Sequence, residues 1–323
     1  MKLNFSENHR LLFSVVFFGF IALSIIIAIV PAVQLNSNDP MCGVNTLTPS
    51  ELRGLNIYVS EGCLYCHTQQ VRPLKLDKAY GRPSSPLDYS YLAPLDEIRM
   101  TPAVLGSERT GPDLSNIGNR QPSEIWHHIH FYNPRAVVKS SIMQAYPWLY
   151  EVKENPDTND LVIPVPDEYA PQNGKVVATQ KAKDLVAYVL FLKQKPMEGI
   201  SQIEESSNKN LSSGTDAGAQ LYNTNCASCH QQNGEGITKT FPPLKNSTAV
   251  NSDNPDTHIR TVLFGSKGKA IDGIVYPAEM PPQKDNLTDE EIASIINYER
   301  SSWGNNGKKV TVDEVKKIRA QEK

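Results

Sequence analysis

The sequence predicts a mainly α-helical protein, with one N-terminal membrane-crossing helix ahead of two similar helical domains. Three observations carry this. Residues Leu11–Asn38 contain no ionisable side chain. The pentapeptide Cys-x-x-Cys-His occurs twice, as Cys63-Leu-Tyr-Cys66-His67 and as Cys226-Ala-Ser-Cys229-His230. Each copy follows a short segment with glycine and tyrosine one helical turn apart, and each precedes, further on, an apolar stripe at helical spacing. The resulting division is an anchor over residues 1–38, a first domain over 39–195, a linker over 196–213, a second domain over 214–304 and a charged tail over 305–323.

The apolar heart of the anchor, Leu11–Val33, would extend about 34 Å as a helix, enough to cross a bilayer core. Apolar regions of cleaved leaders run only to roughly 7–15 residues, so an uncleaved anchor is the reading, with a weak cleavage site at Val30-Pro31-Ala32 as the alternative. Lys2 and Arg10 precede the span, which places the N-terminus on the cytoplasmic side. With no ionisable group inside it, the helix is a tether and not a conduit for protons.

Cys-x-x-Cys-His is the attachment signature of c-type haem. Two thiols one turn apart can add across the two vinyl groups of one porphyrin, and the histidine is then held beneath the iron. A thioredoxin-like pair has no use for that histidine, and a four-cysteine zinc site would make both histidines coincidences. Two covalent haems c, on Cys63/Cys66 and Cys226/Cys229, are therefore expected, with His67 and His230 as axial ligands. Cys42 reads as an unpaired thiol without a role. Because thioether attachment takes place outside the bacterial cytoplasm, both domains are expected on the outer face of the inner membrane, behind a single span. At 323 residues, a net charge of −3 and a pI near 6.2, nothing argues for nucleic acid. No Gly-rich phosphate loop and no Gly-x-Ser-x-Gly element occurs.

Gly54 with Tyr58 and Gly218 with Tyr222 predict helices that touch a partner closely, because mid-helix glycine costs about 1 kcal/mol relative to alanine. The expected partners are the last helices of each block. Lys181–Gln194 places Leu185, Tyr188, Val189 and Leu192 on one face, and Thr288-Asp-Glu-Glu291 is a capping box ahead of Ile292, Ile295 and Ile296. Pro164-Val-Pro166 marks a loop insertion, the Ser-rich stretch 196–213 a linker, and Lys308–Lys323 a solvated, frayed helix.

The sixth iron ligand separates carrier from catalyst, since a closed iron transfers electrons and an open one binds oxygen or peroxide. In the second block the candidate is Met280, in a turn stiffened by Pro281 and Pro282. In the first it is Met143, with Met100 and the cluster Trp126-His127-His128-Ile-His130 competing. His127 and His130 share a helix face and could also hold a metal, or hydrogen-bond beside the haem or at a subunit contact. Pro112 and Pro242 are candidates to offer a carbonyl to the axial imidazoles. Arg72, Arg109 and Arg135 are candidates to pair with haem propionates.

Residues 51–150 resemble the mono-haem subunit of cbb3-type cytochrome c oxidases, especially Glu-Gly-Cys63-Leu-Tyr-Cys66-His67-Thr-Gln69, Gly-Ser-Glu-Arg109-Thr-Gly-Pro112-Asp-Leu and Asn-Pro-Arg135-Ala-Val-Val-Lys-Ser-Ser-Ile-Met143. Residues 214–304 are similar to class I cytochrome c domains in general, a less specific likeness. The resemblance implies one membrane helix followed by an exported haem domain, with Met143 on iron. It implies a relay in which a donor cytochrome c reduces one haem and the electron passes to a membrane-bound haem–copper catalytic subunit, beside the other oxidase subunits and lipid, with no catalysis by this chain alone. The fused second domain departs from the usual mono-haem subunit, which stops after the first. Three rivals remain: a nitric oxide reductase cytochrome subunit, a di-haem peroxidase, and the cytochrome subunit of a periplasmic dehydrogenase.

Overall fold

The computed structural model describes residue 5 and residues 7–36, 47–84, 104–194, 215–268, 270–271 and 273–321. Cys42, Met100 and the linker 196–213 lie outside these. The chain divides into two compact units, residues 1–46 with 85–104, and residues 47–84 with 105–323. Both Cys-bearing blocks belong to the second unit.

In the first unit, α1 (His9–Ser24) runs through one π turn (Ile25–Ile29) into α2 (Val30–Asn36). The π turn has a cause in the sequence. Pro31 has no N–H to return to the preceding turn and its ring crowds the carbonyl four residues back, so the ladder slips and the Val30 N–H bonds five residues back, to Ile25. His9–Gln34 is long and apolar enough to cross a membrane. Phe13, Phe18 and Phe20 stand largely exposed along it, a surface suited to lipid.

In the second unit, α3 (Pro49–Ser60) opens on a complete capping box: Thr48 Oγ1 accepts from the Glu51 N–H, Glu51 accepts from the Thr48 N–H, and Pro49 occupies the first turn. It crosses α5 (Gln180–Phe191), the last helix of the first block; between them lie α4 (Glu124–Tyr132) and the antiparallel pair β1 (Tyr150–Lys153) and β2 (Lys175–Ala178). At the crossing, a Cβ on Gly54 would lie 2.0 Å from the Asp184 carbonyl oxygen and 2.7 Å from Tyr188 Cβ, and the Tyr58 and Tyr188 rings pack at 5.3 Å. The second block repeats the device. Helix α6 (Thr215–Asn225) crosses α8 (Asp289–Ser301), where a Cβ on Gly218 would meet the Ser294 carbonyl at 2.4 Å, and the Tyr222 and Tyr298 rings again lie 5.3 Å apart. Its core gathers Tyr222, Ile259 and Leu263 of α7 (Asp256–Phe264), and Ile292, Ile295 and Ile296 of α8. The only other sheet among the described residues is the two-residue ribbon Ala270–Ile271 with Ile274–Val275.

The charged tail differs from the frayed, solvated helix that its sequence suggests. Helix α9 (Val312–Arg319) is capped by Thr311 with Glu314, and Val310, Val315 and Ile318 bury themselves in the second block's core. Arg319 ties it to Asp289 at 2.6 Å. Three apolar side chains spaced among lysines were enough to dock it.

Asp184 fastens the first crossing from its other side. Its buried carboxylate accepts from Ser50 Oγ at 2.6 Å, from Arg53 Nε at 2.7 Å and Nη2 at 2.9 Å, and from Gln180 Nε2 at 2.9 Å. Chiefly through the Arg53 hydrogen bonds, its pKa is lowered to about 2. The folded value is below the unfolded one of about 3.9, so this stabilisation is complete above about pH 4 and drains away as pH falls towards 2. Denaturant midpoints of wild type and Asp184→Asn should therefore converge as pH falls over that window. A constant gap between them would refute the assignment.

Candidate functional site

The first block encloses a cavity of about 690 Å³. Helix α3 is capped by Glu61, Gly62 adopts left-handed backbone (φ 75°), and a 3₁₀ turn, Cys63–Tyr65 capped by Cys66, presents the thiols on the cavity wall. Cys63, Cys66, His67 and Met143 all line it, among apolar walls from Leu114, Ile117, Phe131, Leu185 and Val189. His67 Nδ1 lies 2.7 Å from the Pro112 carbonyl oxygen. A carbonyl only accepts, so Nδ1 carries the proton and Nε2 keeps its lone pair for a metal. Gly111 makes room for the ring: a Cβ there would fall 2.2 Å from His67 Cε1. Sequence reasoning picked out the proline and passed over this glycine, whose φ is ordinary and whose need is purely steric.

The second block repeats the set. His230, in the helical turn Ala227–His230, is buried, and its Nδ1 lies 2.9 Å from the Pro242 carbonyl oxygen, with the same consequence for the tautomer. Met280 is pinned by paired backbone bonds with Ser266, at 2.8 and 3.0 Å, and packs with Cys226 against the second core. Gly265 permits this approach, since a Cβ there would meet the Met280 carbonyl at 2.4 Å.

Three of the thiols, Cys63, Cys226 and Cys229, are unsuited to thiol–disulfide exchange. Burial pushes Cys63 up to about 12 and Cys229 to about 11, and drives Cys226 well above the ordinary thiol value. A redox pair needs the opposite shift. Burial lowers both His67 and His230, which keeps each imidazole neutral and able to coordinate.

Two of the competing histidines are hydrogen-bonded elsewhere. His127 Nε2 donates to the Gln121 carbonyl at 2.7 Å, and His128 Nδ1 lies 3.2 Å from the Tyr150 hydroxyl. His130 lies flat on Trp126, ring centroids 4.5 Å apart and planes 14° apart, with Nδ1 buried and unpartnered. Burial holds His127 down to about 4 and His130 to about 3. Among the described residues no group of three or more His, Cys, Asp or Glu could hold a metal ion.

The arginine candidates for the propionates are not among the cavity-lining residues. Arg72 pairs with buried Asp77 at 2.9 Å. Arg109 contacts Asp77 too, and donates to Thr68 Oγ1 at 2.7 Å. Together they hold the Asp77 carboxyl far below the usual carboxylate range, Arg72 having the larger effect. Neither lines the cavity, and nor does Arg135. A buried carboxylate that no motif flagged, Asp77, pairs with two of the three. Arg120, unmarked in the sequence reading, has a buried Nε with no protein partner and acts on the His67 charge.

The thiol pair, the tautomer-fixed imidazole and the cavity-lining thioether fit one haem c in the first block, and this set defines a c-type cytochrome domain. Residues 4–168 match the family described as cytochrome c oxidase, mono-haem subunit/FixO, and residues 215–303 match cytochrome c. The first match covers half the chain, which therefore belongs to the cytochrome c oxidase mono-haem subunit family, with a cytochrome c domain following it. Such domains carry covalently bound haem c, so the chain is an electron-transfer cytochrome.

Among curated proteins, the chain is 39% identical over 114 residues to cytochrome c-552 of Thermus thermophilus, covering 32% of this chain and 85% of that one. It is 32% identical over 143 residues to the cytochrome c subunit of a quinone alcohol dehydrogenase from Gluconobacter oxydans, covering 42% of this chain and 30% of that one. It is 33% identical over 82 residues to the cbb3-type cytochrome c oxidase subunit FixP of Sinorhizobium medicae, covering 25% and 28%. The chain thus spans under a third of the length of the dehydrogenase subunit.

Proposed function

We propose that this chain is a di-haem electron-transfer subunit of a cbb3-type cytochrome c oxidase, passing electrons from a donor cytochrome c to the haem–copper catalytic subunit. The observation that carries it is the doubling of one complete set, cysteine pair, proline-anchored histidine and methionine, behind an apolar anchor, with the first set inside the oxidase mono-haem family match. In this reading Cys63/Cys66 and Cys226/Cys229 hold the haems, while His67 with Met143 and His230 with Met280 close the irons. Each haem supplies a one-electron couple when bound. The chain's own residues fix both imidazole tautomers, exclude water with apolar walls, and leave no face for a gas to bind. The anchor crosses the bacterial inner membrane and the domains lie on its outer side.

Likeness to the quinone dehydrogenase subunit favours one other reading, an electron acceptor for a periplasmic dehydrogenase. The family match over residues 4–168 weighs against it. Purification from membranes separates the two. Two haems per chain and a co-purifying haem–copper subunit are expected; a co-purifying dehydrogenase instead would overturn the proposal.

Gly111→Ala gives a local check. Its methyl would force the His67 ring off the Pro112 carbonyl, so the low-spin fraction of the first haem should fall while the second stays intact. Reduced spectra identical to wild type would show that the ring has no need of that seat.

A further inference from the structure

The second block's attachment peptide is plugged onto the first block beside the first cavity. Trp126 Nε1 donates to the Ser228 carbonyl at 3.0 Å, and Gln121 Nε2 donates to the Ser228 hydroxyl at 2.7 Å. Ser228 stands between the two cysteines of the second motif, one peptide bond from Cys229, whose sulfur lies 3.9 Å from the same Gln121 amide. Away from the motif, Thr240 Oγ1 donates to the Pro164 carbonyl at 2.9 Å. Trp126 is 8% exposed and also forms part of the first cavity's wall, with His67 and with His130, on which its ring lies flat. One indole therefore reaches from the wall of one haem cavity to the peptide that carries the other haem's thioether.

We propose that Trp126 is the electronic bridge between the two haem sites, running from the first cavity through its indole and the Nε1–H···O hydrogen bond to Ser228, and along one peptide to Cys229. The proposal rests on the di-haem reading above. Electronic coupling falls off far faster through gaps than through packed atoms and bonds, and from the indole to Cys229 this route crosses a single hydrogen bond. Trp126 itself is neither oxidised nor reduced. The electron that leaves one haem arrives at the other, and the indole proton stays on its nitrogen. Trp126 is a positioning and coupling residue, not a ligand.

The test uses the full chain in detergent with its haems attached, counted first by pyridine haemochrome. Trp126→Phe keeps a ring in the cavity wall and removes the N–H. Thr240→Val loosens the docking at a distance and leaves the indole alone. Three quantities are read: interhaem electron equilibration after flash photoreduction, the two midpoint potentials, and the dipolar interaction between the ferric haems as a gauge of their separation. For Trp126→Phe we expect equilibration at least tenfold slower, with potentials and dipolar interaction unchanged; for Thr240→Val, a rate within twofold of wild type. A wild-type rate in Trp126→Phe overturns the bridge. So does a rate loss accompanied by a weakened dipolar interaction, since Trp126 would then be only a clamp. A count of one haem sinks the di-haem reading and the bridge together, whereas two haems with an unaltered rate sink the bridge alone.

Discussion

Replacing Met143 with leucine is expected to open the first haem to external ligands while leaving the fold in place. Met143 lines the first cavity and is half-buried, held where its backbone N–H meets Ser141 Oγ at 3.2 Å. Leucine nearly conserves its volume, and such swaps cost under about 1.5 kcal/mol. What is lost is the thioether, which on the proposed ligation closes the iron and raises its potential. The reduced protein should lose the low-spin signature of one haem, bind carbon monoxide there, and show a fall in the corresponding midpoint. Met280→Leu should do the same at the second haem, and the double variant at both. Low-spin absorption surviving in the double variant would mean that other side chains close the irons. His130, with its unpartnered Nδ1 in the first cavity's wall, would be the first to examine. The experiment also separates a carrier from a peroxidase, because a peroxidase needs one haem that opens without mutation.

Most of the frame was legible because it is local. The capping box Thr288–Glu291, the apolar stripe through Leu185, Tyr188 and Val189, and the charge-free anchor are written in consecutive residues. The mid-helix glycines named their partners because glycine there makes sense only against another backbone. What escaped was decided by residues distant in sequence. Asp77 claims Arg72 and Arg109, a contact no motif announces. The tail docks through Val315 and Ile318, which look isolated among charges until α7 and α8 present a groove for them. Trp126 looked like one member of an aromatic and histidine run. Its hydrogen bond to Ser228 spans 102 residues of chain and needs both blocks folded before it exists.

Gly54→Ala is expected to destabilise the first block strongly, and magnitudes decide the sign. Alanine gains about 1 kcal/mol of helix propensity over glycine. Against that, its Cβ would sit 2.0 Å from the Asp184 carbonyl oxygen and 2.7 Å from Tyr188 Cβ. Neither can swing aside: one is helix backbone, and the other is the root of a buried ring packed on Tyr58. The helices α3 and α5 must separate, which breaks the Ser50 and Arg53 bonds to Asp184 and widens the frame beside Cys63. Overpacking of this kind costs about 3 kcal/mol, so the net loss should be about 2 kcal/mol. Gly218→Ala meets a roomier crossing, 2.4 Å from Ser294 oxygen and 3.0 Å from Tyr298 Cβ, and should lose less. Chemical denaturation of the holoprotein, followed at each haem, should therefore rank wild type above Gly218→Ala, and that above Gly54→Ala. If Gly54→Ala proved more stable than wild type, helix propensity would have won, and the close crossing of α3 on α5 would not be what holds the first haem's frame.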